Sequence, residues 1–130
     1  MKRALIFIRL GGVINLLVAI LHISFWKLFS WPSELVKLTV MNSNIMQMLN
    51  LFTIVFLGYT TFVLLFKTKE LFTSAIGQHF LAMMAVLYAS RLAMEFYFPE
   101  KSLGFAVFLV ITVLLFVVPL FQSKNLRYAH

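Results

Sequence analysis

Residues 38–66 and 103–121 contain no charged side chain, and this one feature restricts the fold more than any other. Crossing the hydrocarbon core of a bilayer takes about 20 apolar residues in a helix, and both runs approach or exceed that length. In lipid every backbone amide must find its partner within the protein, which leaves helices or closed barrels. The two-residue alternation of barrel strands is absent, so the runs predict helices.

Composition agrees. Of 130 residues, 62% are hydrophobic, and only 4 acidic side chains stand against 11 basic ones. That leaves too little polar surface to cover a soluble globule of this size. The charge-free runs and their breaks predict four membrane-spanning helices over 4–25, 44–66, 72–98 and 103–121. The expected fold is an all-α integral membrane protein: one domain, a four-transmembrane-helix bundle. No internal repeat is visible, and the halves differ in polar pattern, which argues against a duplicated transporter.

The net charge of +7 does not indicate a nucleic-acid partner, because no basic cluster exceeds Lys67-Thr68-Lys69 and the charges fall between apolar segments. The absence of cysteine excludes disulfides, thiolate metal sites and thiol redox chemistry. Met1-Lys2-Arg3 ahead of an apolar run imitates a signal peptide. No small-x-small cleavage pattern precedes Trp26, so an uncleaved first helix is expected.

Orientation follows from the basic residues. Lys2, Arg3, Lys67, Lys69, Lys124 and Arg127 fall on one side of the four segments, and Lys27, Lys37 and Lys101 on the other. Both termini are therefore expected in the cytoplasm. Arg9, two turns into the first segment, is close enough to reach back to that interface. The first outer loop, 27–43, is the long one. Trp26, Phe29 and Trp31 suit an aromatic belt, Ser30 can cap a short helix, Pro32 fits its first turn, and Leu35 and Leu38 share a face. That piece is expected to lie along the membrane surface. The connections 67–71 and 99–102 are tight, with Pro99 stopping the third segment.

Polar residues in the spans gather toward the outer side. His22 ends the first segment, Gln47 and Asn50 open the second, and Tyr88, Arg91 and Glu95 close the third. Asn15, Ala19 and His22 share a helical face, and the fourth segment offers only Thr112. One reading is an outer-leaflet pocket between the first three helices, lined by His22, Gln47, Asn50, Tyr88, Arg91 and Glu95. The other is that these groups hydrogen-bond to one another and merely fix packing, at about 0.6–2 kcal/mol per bond.

Arg91 and Glu95 are the most unusual pair, since ionisable groups in a bilayer cost several kcal/mol unless paired or wetted. Paired at i,i+4, they are neutral together and leave Arg91 donors for a phosphate or carboxylate head group. Were Glu95 to point away, its apolar surroundings would suit a proton carrier. Asn44 with Gln47 resembles a capping box. His22 lacks a second histidine at matching depth, since His79 lies near the opposite end of its segment, so no metal or haem cofactor is expected. The seven methionines read as packing residues. Gly11 and Gly12 suggest close helix approach, and Gly58 a third such place.

Four helices in a short basic chain with an intramembrane glutamate resemble the small multidrug-resistance exporters in outline. Those carry an unpaired glutamate in the middle of the first helix, where this chain has Asn15. The gathering of His, Glu and aromatic residues is similar to the sterol-isomerase-like membrane fold, and the hydropathy profile to small DoxX-like bacterial proteins. No motif longer than a few residues carries either likeness.

Three functions fit the sequence. The first is binding of an amphipathic lipid, isoprenoid or quinone, with Arg91 and His22 on its polar head. The second is an accessory subunit of a larger membrane complex. The third is an enzyme acting on a lipid, with His22 or Glu95 as acid or base. Partners are expected to be membrane lipids, with a homo-oligomer or larger complex possible, and the location a bacterial inner membrane. Reporter fusions check the orientation: cytoplasmic reporters are expected to be active at Lys69 and His130 and silent at Glu34 and Lys101. An external His130 would reverse it.

Overall fold

The computed structural model describes residues 1–98 and 102–127, with side chains as far as Ser123. Pro99 and Lys101 lie outside the described residues, as do the side chains of Lys124 and Arg127. Among the described residues the chain is all helical: α1 (Lys2–Leu28), α2 (Trp31–Glu34), a 3₁₀ turn (Leu35–Lys37), α3 (Val40–Phe66), α4 (Thr68–Thr73), α5 (Ala75–Tyr97) and α6 (Leu103–Arg127). Helices α1, α3 and α5, and α6 as far as Ser123, are long and apolar enough to cross a membrane. Large apolar side chains such as Ile6, Leu17, Phe52 and Val86 stay exposed, while Asn15, Thr60 and Thr112 are buried. Apolar outside and polar inside is the arrangement of a protein solvated by lipid. The chain is a multi-pass membrane protein.

The packing divides into two compact units, one of Met1–Gly11 with the chain from Leu64 onward, the other Gly12–Val63. In the first unit α5 packs along α6, and α4 packs against both. α5 turns inward Gly77, Leu81, Met84, Tyr88 and Glu95, and α6 turns inward Ala106, Leu109, Thr112, Phe116, Pro119 and Ser123. Both sets step by three, four or seven, the spacing of one helical face. Gly11 completes this unit: a Cβ there would sit 2.7 Å from the Phe116 ring. Its missing side chain lets the aromatic ring lie against the α1 backbone. Gly58 has open space around it, so the close approach expected there does not exist.

Helix ends are set by short polar side chains. α3 begins at Val40, four residues before the start expected at 44, because the Thr39 hydroxyl accepts from the Asn42 N–H at 3.3 Å. Asn44 lies inside the helix and is not its cap. Between α1 and α2, Ser30 adopts the left-handed conformation (φ 49°, ψ 39°). Its side chain makes no capping bond. Instead its carbonyl accepts from the N–H groups of Ser33 and Glu34 and from the Ser33 hydroxyl. Trp31, expected among the interfacial aromatics, is 4% exposed. It packs edge-on against Trp26 and Phe25, with ring centroids 5.0 and 5.9 Å apart.

The connection expected as a tight loop at 67–71 contains α4, and the third span accordingly starts at Ala75 rather than 72. One hydroxyl joins the two helices. Ser74 Oγ donates to the Glu70 carbonyl at the end of α4 and accepts from the Gly77 N–H in the first turn of α5. The corner is so tight that a Cβ on Gly77 would collide with the backbone of Leu71 and the Glu70 carbonyl. Backbone yields less readily than a flexible side chain. Gly77→Ala is therefore expected to lower stability by about 1–3 kcal/mol. Gly58→Ala is expected to be neutral or slightly stabilising, as thermal unfolding of the detergent-purified protein would show.

Candidate functional site

In the unit spanning Gly12–Val63, the last turns of α1 and the middle of α3 place His22 against Asn50. Asn50 Nδ2 donates to the backbone carbonyl of His22 at 3.0 Å, and its Oδ1 lies 2.9 Å from His22 Nδ1. A carbonyl only accepts, so the first bond fixes which way the amide faces. Oδ1 then needs a donor, which places a ring proton on Nδ1, so that in the neutral tautomer Nε2 carries the lone pair. The ring rests against Phe25, with centroids 4.4 Å apart. Phe25 in turn lines a cavity of about 470 Å³ with Phe29, Trp31, Glu34, Leu35, Leu38 and Met46. That volume is in the range of small-molecule sites.

Gln47 does not extend toward this pair. Its Nε2 reaches back to the carbonyl and hydroxyl of Ser43, both at 3.4 Å, within its own helix.

In the other unit α5 carries Arg91 and Glu95 one turn apart, and they form an ion pair with Arg91 Nη1 3.2 Å from Glu95 Oε2. The two ends of the pair live in different surroundings. The Glu95 side chain is 9% exposed and that of Arg91 47%. Glu95 is held at its second oxygen as well, because Oε1 accepts from the Ser102 N–H at 3.0 Å. Ser102 is the cap of α6, its hydroxyl accepting from Phe105 N–H and its carbonyl from Ala106 N–H. A carboxylate at this position favours the positive end of the α6 dipole. The guanidinium also lies over the Phe105 ring, 5.0 Å from its centroid. Glu95 thus faces Arg91, as the pairing alternative required, and both of its oxygens are engaged.

Tyr88 shares the face of this pair but belongs to the core. It is 4% exposed and stacks on Phe116, with centroids 5.8 Å apart.

Two features were not reached from sequence. Asn15, fully buried in the middle of α1, donates through Nδ2 to the Leu57 carbonyl and to the hydroxyls of Thr60 and Thr61, all at 2.8–3.0 Å. The available signal was an amide centred in one span and two adjacent threonines in another. Ser102 and Phe105 are the second: a serine directly before an apolar run is a helix-start signature, but its meeting with Glu95 depends on how the chain turns.

Among the described residues, no group of three or more His, Asp or Glu side chains converges on a point where a metal would sit. No family model, no curated protein and no solved structure matches this chain.

The double engagement of Glu95 determines what its removal does. Arg91→Met leaves a buried carboxylate with one donor, at an expected cost of about 1–3 kcal/mol, between the values for exposed and buried pairs. Glu95→Leu removes both the pair and the second contact to α6. The double variant relieves the unpaired charge but still leaves the Ser102 N–H uncovered, so about 1 kcal/mol of the loss should remain. Thermal melts of the three variants test this. Equal melting of Glu95→Leu and wild type would remove the carboxylate from the fold.

Proposed function

We propose that this protein binds an amphipathic, lipid-like molecule, such as a lipid, isoprenoid or quinone, whose polar or anionic head group is held by Arg91. The observation that carries the reading is the asymmetry of the Arg91/Glu95 pair. The carboxylate is buried and occupied, while the guanidinium is anchored on one edge and backed by Phe105, on a side chain that is about half exposed. A guanidinium carries five N–H donors in a planar fork, more than a single carboxylate oxygen consumes. Arg91 is six residues from the end of α5, which is about 9 Å of helix. That depth suits a group reaching the head-group layer from inside a span.

In this reading both termini are cytoplasmic, the C-terminal end of α5 meets the outer leaflet of a bacterial inner membrane, and the piece at Trp31–Lys37 lies along the surface. A catalytic variant of the same reading rests on His22, whose tautomer Asn50 sets as acid–base chemistry requires.

Native mass spectrometry of the protein extracted in mild detergent tests the proposal. The wild type is expected to carry an amphipathic adduct with an acidic head. Arg91→Lys keeps the charge for Glu95 but loses the fork, and should reduce occupancy about five- to tenfold with an unchanged melting temperature. An adduct-free wild type, or equal retention by Arg91→Lys, would overturn it.

A further inference from the structure

At the opposite end of α5, Gln78 and His79 line a cavity of about 440 Å³ with Ala82 and, from α6, Val117, Leu120 and Phe121. Both polar side chains are already committed on one edge. Gln78 Nε2 donates to the Phe72 carbonyl at 3.3 Å, which turns its amide so that Oε1 is the remaining acceptor. His79 Nδ1 lies 2.8 Å from the Ala75 carbonyl, so in the neutral ring the proton sits on Nδ1 and the lone pair on Nε2. Among the described residues, neither Gln78 Oε1 nor His79 Nε2 has a hydrogen-bond partner. With His79 in its neutral form, the cavity thus offers two fixed acceptors and, among the described residues, otherwise apolar walls.

Its position adds a further condition. Gln78 is one turn inside α5, and Phe121 is two residues short of the end of the α6 span at Ser123. At span ends the head groups meet the hydrocarbon. Ala82 and Val117 lie one turn further into the spans. An occupant must bring a hydrogen-bond donor at the interface and an apolar body below it. An anionic or acceptor-only head would face two lone pairs and gain nothing.

We propose that this cavity binds an amphipathic alcohol, a long-chain or polyisoprenoid compound. Its hydroxyl donates to His79 Nε2 or Gln78 Oε1, and its chain lies along Ala82, Val117 and Leu120. The site is separate from Arg91, which stands twelve residues further along the same helix, about 18 Å away. The two sites also differ in chemistry: Arg91 supplies donors, and Gln78 and His79 supply acceptors.

The test uses the full chain in nanodiscs of phosphatidylcholine, whose head group has no donor. A diazirine-bearing hexadecanol is photocrosslinked to the protein, and the labelled peptides are mapped. Geranylgeraniol is expected to protect the peptides containing 78–82 and 117–121 at a concentration about tenfold below that of its methyl ether, which has the same chain without the O–H. Joining His79→Phe with Gln78→Leu should abolish the preference for the alcohol, while Arg91→Lys should leave it intact. A failure here is thereby distinguished from a failure at Arg91. Equal protection by alcohol and ether, or a preference surviving in the double variant, would overturn the proposal. So would loss of protection when phosphatidylethanolamine replaces phosphatidylcholine, since a bulk-lipid ammonium would then be the occupant. Should the double variant not fold, Ala82→Phe fills the cavity from its wall and should remove protection by both compounds. Unchanged protection in that variant would place the alcohol elsewhere.

Discussion

Hydrocarbon supplies no hydrogen-bond partner, so each polar side chain in a span must be satisfied by the protein itself. Most of the hydroxyls solve this locally. Ser24, Thr53, Ser90 and Thr112 each donate to the carbonyl four residues earlier, at 2.8–2.9 Å. Such bonds ask nothing of a neighbouring helix. Asn15, Asn50 and Glu95 are satisfied differently, with partners outside their own helix. These three reach across to another helix, and they therefore fix which helices meet and in what register. Asn15 ties α1 to α3 through Leu57, Thr60 and Thr61, and Asn50 repeats the tie at His22.

Glu95 binds the fold and the proposed chemistry into one group. Its Oε1 accepts from the cap of α6, and its Oε2 positions the guanidinium. The orientation of Arg91 is thus a consequence of the α5–α6 junction being closed. Loosening that junction would also loosen the hold on the guanidinium, on which the proposed head-group contact depends. Buried polar networks behave this way because no solvent stands by to replace a lost partner.

The two proposed sites differ in what they present. The Arg91 guanidinium supplies donors, whereas Gln78 Oε1 and His79 Nε2 supply acceptors. In both places a backbone or side-chain contact on one edge determines the chemistry of the other. The carbonyls of Phe72 and Ala75 set the acceptors, and Glu95 with Phe105 sets the donor. A fixed orientation lowers the entropic cost of engaging a ligand, which is how a few polar atoms in an apolar wall become selective.

The four spans were legible in the residues themselves, because charge-free runs of bilayer length admit only helices in lipid. The Arg91/Glu95 pairing was legible too, since an i,i+4 spacing brings side chains together whatever surrounds the helix. Contacts between segments were not. Asn15 and Thr60 are separated by 45 residues, and no local pattern records their meeting. The same holds for Trp31, which packs into an aromatic cluster after the left-handed turn at Ser30. Thr39 rather than Asn44 starts α3, because a cap is chosen by where the incoming chain leaves the helical path. Periodicity and charge act over one turn of helix and are written into the sequence. The approach of one helix to another depends on backbone direction at the junctions, and only the folded chain decides it.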